Sequence, residues 1–164
     1  MNYFTHSFEA PIEEHALGRY AYTVVYLPPE LHDELPLKEH PRLRIDAEIA
    51  EVPIDGALQP VRGRWYLMVP RPLMKQCGFS LGDRIEVRFR VGDQDAVDVP
   101  AELEQALHAK GNRKALAAWK KLTPGAQRGF AHHIKSAKTE PTRNKRLVII
   151  IEAIAAGKKN LRGY

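Results

Sequence analysis

The sequence predicts an α+β protein, with a small β-barrel of about six strands followed by a C-terminal helical segment of three or four helices. Three observations carry this reading. Apolar residues alternate with polar ones as far as Val91, the period of half-buried strands. From Val99 onward the apolar residues recur at helical spacing instead. The charge changes sign at the same place: residues 1 to 99 hold 11 Lys and Arg against 16 Asp and Glu, a net of −5, whereas residues 100 to 164 hold 14 against 4, a net of +10. Pattern and charge turning together put a boundary near Val99-Pro100, giving one domain over residues 1–98 and a basic one over 99–164.

Tyr3, Phe4, Phe8, Ala10 and Ile12 predict an opening strand, and His15 to Arg19, which contains Gly18, predicts a turn. Tyr22, Val24 and Tyr26 then alternate with Thr23, Val25 and Leu27; apolar residues on both faces place the strand from Tyr20 to Leu27 inside the sheet. Pro28-Pro29 stops it, and Glu30 to Leu37 has room for one helical turn. Leu43, Ile45, Ala47 and Ile49 alternate with Arg44, Asp46 and Glu48, a strand buried on one side. Asp55-Gly56 is a strong hairpin signal and predicts the turn into a short strand over Ala57 to Val61. Arg62-Gly63-Arg64 turns the chain once more.

The stretch Trp65 to Val91 organises the rest. Trp65, Leu67 and Val69 form one face of a strand that Pro70 ends. Pro70 and Pro72 open a short helix through Leu73, Met74 and Cys77, and Gly78 supplies a left-handed stop. Ser80-Leu81-Gly82-Asp83 is a turn, after which Ile85, Val87, Phe89 and Val91 alternate with Arg84, Glu86, Arg88 and Arg90. Through Val69-Pro70, Leu73, Gly78-Phe79 and Leu81-Gly82-Asp83-Arg84-Ile85-Glu86-Val87, this unit resembles that of the AbrB-like and MazE-like double-split β-barrels. A wider set, Phe8-Glu9-Ala10, Tyr22 to Pro28, Trp65 to Pro70 and Phe79 to Asp83, resembles a bacterial domain-of-unknown-function family with that barrel, over roughly residues 3 to 92.

In the second half Pro100, behind Asp98 as a cap, opens a helix carrying Leu103, Ala106 and Leu107. Asn112 is placed to cap a second helix, with Leu116, Trp119 and Leu122. Thr123-Pro124 starts a third, with Ala126, Phe130, Ile134 and Ala137, and Thr142 to Ala156 makes the last. Val99-Pro100-x-Glu102-Leu103, Ala118-Trp119-x-x-Leu122-Thr123-Pro124 and Lys135-x-Ala137-Lys138-x-x-x-Thr142-Arg143-x-x-Arg146 resemble the YdeI/OmpD-associated family over residues 99–158. The resemblance implies a link to bacteriocin protection or stress without a molecular activity. Gly125 and Gly129 depart from the helix formers expected there, at a cost of about 1 kcal/mol each.

The residues themselves point to few chemistries. A single cysteine, Cys77, excludes an internal disulfide and a multi-cysteine zinc site, and its place between apolar neighbours at a helix C-terminus favours a structural thiol over a nucleophile. The seven histidines show neither HExxH nor HxH spacing, so no metal is expected. There is no G-x-S-x-G elbow and no phosphate-cradling glycine loop; catalytic residues and cofactors are expected to be none. The longest strongly apolar run, Leu147 to Ile151, is too short for a membrane span, and Met1 to Gly18 lacks a signal-peptide pattern, which makes the cytoplasm the expected location.

Arg128, Lys135, Lys138, Arg143, Lys145 and Arg146 are the candidate polyanion contacts, with Lys158, Lys159 and Arg162 behind them. Arg62, Arg64, Arg71, Arg84, Arg88 and Arg90 supply a further cationic set on the barrel. The leading expectation is a non-enzymatic binding or stress-protection protein. A nucleic-acid-binding regulator is the alternative, and an enzyme with an unrecognised pocket comes third. The partner is open between nucleic acid, the acidic barrel itself and a second copy paired through barrel or last helix.

Overall fold

The computed structural model describes residues 3–162, which divide into two compact units, the boundary falling between Gln94 and Asp95. The first is a curled, fully antiparallel sheet of seven strands: β1 (His6–Pro11), β2 (Glu13–Leu17), β3 (Tyr20–Tyr26), β4 (Leu43–Ile49), β5 (Val52–Val61), β6 (Arg64–Met68) and β7 (Arg84–Val91). Helix α1 (Arg71–Cys77) separates β6 from β7, and a short 3-10 helix spans Pro29–Glu34 where the proline pair ends β3. Strand order is β1-β7-β4-β5-β6-β3-β2. The two end strands are therefore neighbours in sequence, and the sheet must curl for the chain to pass from one end to the other.

That passage happens at Ile12 and explains a strand more than the alternation predicts. The opening segment is two strands rather than one. Ile12 donates its N–H to Asp83 O (2.9 Å) and accepts from Gly82 N–H (2.8 Å), so it leaves β1, paired with β7, and enters β2, paired with β3. His15 is thereby a strand residue rather than part of a turn, and the reversal is confined to Gly18-Arg19, with Gly18 at φ 60°.

A second correction concerns Asp55-Gly56. The hairpin turns at Ala50-Glu51, both in left-handed backbone (φ 50° and 64°), and β5 runs straight through the Asp-Gly pair, Asp46 facing Asp55 and Ile45 facing Gly56. A two-residue turn at that point keeps Leu43, Ile45, Ala47 and Ile49 on the core face. Gly56 serves packing: a Cβ there would stand 2.7 Å from Leu67 Cδ1.

The organising stretch folds as its pattern predicts. Pro70 precedes α1, Gly78 takes φ 72°, and Phe79 N–H returns to Met74 O at 2.9 Å. Buried Thr23 ties the exit of β6, donating Oγ1–H to Val69 O (2.7 Å) while Val69 N–H reaches Thr23 O (2.8 Å). The sheet's concave side holds one core of Val25, Leu27, Leu43, Ile45, Ile49, Leu58, Leu67, Val87, Phe89 and their neighbours. Cys77 packs half-buried against it.

In the second unit the described residues form four helices: α2 (Ala101–His108), α3 (Arg113–Lys121), α4 (Pro124–Lys135) and α5 (Glu140–Ala155). Thr123 and Thr139 cap α4 and α5 through their hydroxyl oxygens, which moves the start of α5 ahead of Thr142. Asn112 occupies the cap position of α3, yet its amide Nδ2 donates backward to Ala106 O (2.7 Å), and Asp98 is drawn to Lys135 instead of capping α2. Leu103, Leu107, Ala115, Trp119, Phe130, Ile134, Ile150, Ala153 and Ile154 make a second core. Within the run Leu147 to Ile151 only Ile150 is fully buried, and Val148 stays 59% exposed. No helix among the described residues is long and apolar enough to cross a membrane.

Candidate functional site

Helices α4 and α5 carry all six candidate cations or adjoin them, and four of the six are engaged inside their own unit. Arg128 donates from Nη1 to Ala96 O at 3.0 Å. Lys135 pairs with Asp98. Arg143 donates from Nε to Glu102 Oε1 at 2.7 Å and from Nη2 to the same oxygen. Arg146 Nη1 donates to His133 O (2.8 Å) and Ser136 Oγ (3.0 Å). Lys138 and Lys145 are exposed and have no such partner among the described residues. The six thus do not make one open cationic face. Arg143 and Arg146, one helical turn apart on α5, act as two adjacent staples, one to α2 and one to the end of α4.

The Glu102–Arg143 pair has the most favourable environment of these, since both side chains are about two-thirds buried. Its own backbone N–H at the start of α2 and, after it, the Arg143 guanidinium hold the Glu102 carboxyl below its ordinary value of 4.5, against the opposing pull of burial. Burial, then Arg146 and His132, lowers the His133 imidazole from 6.5. Both shifts have the same sign of effect. A depressed carboxylate contributes stability above its unfolded value that is lost as pH falls through the folded one; a depressed imidazole is disfavoured in its charged form once pH drops below 6.5. The second unit should lose stability on acidification from pH 7. Arg143→Met should cost it about 1–3 kcal/mol at pH 7, and the gap from the wild type should narrow as pH falls through the folded Glu102 value below 4.5, because the backbone contribution is common to both proteins and the ion pair alone differs. Urea titrations of both proteins across pH 3–7 measure this; a gap independent of pH would rule out the pair.

The barrel-side arginines are dispersed rather than pooled. On β7, Arg88 pairs with Glu48 and Arg90 with Asp46 (3.1 Å), while Arg90 also lies 4.1 Å over the Tyr3 ring. Arg71 donates to Ala21 O at 3.3 Å. Arg64 stacks 3.6 Å over Tyr26, and Arg62 sits in the exposed β5–β6 turn at φ 46°.

Arg64 belongs to a cluster that spacing alone did not single out. On the face of β2, β3 and β6 turned away from the core, His15 Nδ1 meets the Tyr26 hydroxyl at 2.9 Å, and the imidazole stacks on Tyr66 with centroids 5.4 Å apart. His15 Nε2 is enclosed without a protein partner. Tyr22 and Tyr20 extend the row, their rings 6.3 Å apart, Tyr20 being 66% exposed. The alternation Tyr20, Tyr22, Val24, Tyr26 was the available signal for the tyrosines. His15 joins them only because β2 is a strand. Such a face combines flat apolar area with hydroxyl, imidazole and guanidinium groups, and so suits recognition.

Helix α4 also borders a cleft of about 320 Å³ lined by Gly125, Ala126, Gly129, Phe130, His133 and Leu161, among others. A Cβ at Gly129 would meet nothing within 4 Å, so packing inside the chain does not demand either helix glycine. Among the described residues, no three His, Cys, Asp or Glu side chains group in a way that holds a metal ion.

Comparison with protein families identifies both halves. A model described as a domain of unknown function (DUF1905) matches residues 8–89, and one described as OmdA, bacteriocin-protection, YdeI or OmpD-associated, matches residues 96–157. No curated protein matches the chain. The two matches stand in the order, and close to the bounds, that the sequence motifs imply. With half of its length matched by the first and most of the remainder by the second, the chain belongs to the DUF1905 family and carries an OmdA-type segment behind that domain.

Proposed function

We propose that this is a non-enzymatic, cytoplasmic binding protein of the bacteriocin-protection kind, whose first unit is a double-split barrel related to those of AbrB and MazE. The protective role is supported by the description of the family matched at residues 96–157. Two features support the barrel relation: α1 interposed between β6 and β7, and end strands that are consecutive in sequence. The binding role rests on the tyrosine face of β2, β3 and β6, where exposed Tyr20 and Arg64 and half-buried His15, Tyr22 and Tyr26 stand over buried Tyr66 and gather the residue types that dominate recognition surfaces. Exposed Val148 on α5 supports a second copy as a partner through the last helix.

The reading is tested in cells. A strain expressing the chain is expected to survive a bacteriocin challenge that kills the same strain without it. The double variant Tyr20→Ser, Tyr22→Ser, with unchanged circular dichroism, is expected to lose that advantage. Equal killing with and without the wild-type chain would refute the protective role, and full protection by the variant would refute the tyrosine face.

A second reading, binding to nucleic acid, is supported by the net +10 of residues 100–164 and by the unpaired Lys138 and Lys145. Its test is titration of a random-sequence duplex at low salt, where no binding would end it.

A further inference from the structure

We infer that the outward face of α3 is a sequence-independent contact for the phosphate backbone of a nucleic acid duplex, an inference that rests on the nucleic-acid reading above and moves its seat from α4 and α5 to α3. Arg113, Lys114, Lys120 and Lys121 are all exposed, and none has an ion-pair or hydrogen-bond partner among the described residues. At 100° per residue these four and Ala117 lie within an arc of about 120°. The opposite side of the helix is taken by Ala115, Leu116, Ala118 and Trp119, which pack into the second core. The cations therefore cannot turn inward, and α3 presents them together.

Neighbouring carboxylates do not neutralise this stripe. Asp98 pairs with Lys135 and Glu102 with Arg143, and Glu104 lies against His108 one turn along α2 (3.0 Å), so none of these three carboxylates pairs with an α3 cation. Helix α3 has no acidic residue in its first turn, and exposed Lys110 precedes it. This is the reverse of the arrangement in α4 and α5, where four of the six candidates are held internally.

The spacing selects among polyanions. Arg113 with Lys120, and Lys114 with Lys121, form two pairs seven residues apart, so the stripe from Arg113 to Lys121 extends about 12 Å along the helix axis. Over that length a duplex presents about seven phosphate charges. An anionic membrane is a poorer match, since helices that lie on membranes set large apolar side chains beside their cations. Here only Ala117 stands among the cations, and the large apolar residues of α3 are committed to the core.

The test is fluorescence polarisation of the full chain with a labelled random-sequence duplex over a salt series. Four phosphate contacts predict a slope of log K against log salt of about −3.6. The variant Arg113→Gln, Lys114→Gln, Lys120→Gln, Lys121→Gln, checked for unchanged helicity and melting, is expected to bind at least about 100-fold more weakly at low salt and with a slope near zero. Lys38→Gln, Lys75→Gln, both exposed in the first unit, is expected to bind as the wild type does. If the wild type binds and the α3 variant binds equally well, the α3 inference is overturned and the broader reading stands. If the wild type does not bind at low salt, both fall. Binding to phosphatidylserine-rich vesicles with none to duplex would equally overturn the inference.

Discussion

Phe89→Ala is expected to remove about 3–5 kcal/mol from the first unit. Phe89 is fully buried at the middle of β7, flanked in register by His6 of β1 and Ala47 of β4, with the Phe8 ring edge-on at 6.0 Å and the His6 ring stacked at 5.2 Å. Strands on both sides hold the backbone in place, so the walls of the new cavity have little freedom to collapse, and the cost should fall in the upper part of that range. Urea unfolding followed through the amide exchange of β4 and β7 measures it; the midpoint should drop with the m value unchanged. Tyr20→Ala, at an exposed site on the same sheet, should change stability by no more than about 0.5 kcal/mol. A loss under 1 kcal/mol at Phe89 would mean that the curled sheet does not close over it.

Phe130→Ala should act on the second unit, again by about 3 kcal/mol or somewhat more. Phe130 is buried between α4 and the rest of the helical core, but its ring also floors the cleft bordered by Gly125 and Gly129. Removing it opens the core to that cleft, where relaxation and water can soften the loss, so the cost should be smaller than for Phe89. Amide exchange in α2 and α5 reports it. An equal or larger loss than at Phe89 would show that the cleft gives the site no room to relax.

How far the sequence could be read depended on the range of the interactions involved. Pro70, Gly78 and the alternation from Ile85 to Val91 act within a few residues of themselves, and β6, α1 and β7 formed where those residues require. Thr123-Pro124 likewise marked the start of α4. Asp55-Gly56 misled because the hairpin was decided elsewhere. Its glycine is needed for the approach of Leu67, eleven residues on, while Ala50 and Glu51 accept left-handed backbone despite a poor preference for it. His15 looked like a turn residue because its strand exists only through pairing with β3.

The candidate site follows the same division. Lysines and arginines are recognisable as a group in any sequence, but a guanidinium beside Glu102 and an ammonium in water are the same letter class. Arg143 and Arg146 came to be staples because the fold carried Glu102 and the His133 carbonyl to them, whereas the α3 cations, less conspicuous in sequence, were left facing outward.

By itself the sequence determined that strands give way to helices near Val99, that a proline-opened helix interrupts the sheet, and that an acidic half is followed by a basic one. These depend on periodicity, backbone restriction and composition, all of which are local. Only the tertiary structure decided where β5 turns, that seven strands rather than six make the sheet, and which positive charges remain unspent. Hydrogen bonds and ion pairs depend on distances of about 3 Å between residues as far apart in the chain as Glu48 and Arg88 or Glu102 and Arg143, and no spacing along the chain encodes them.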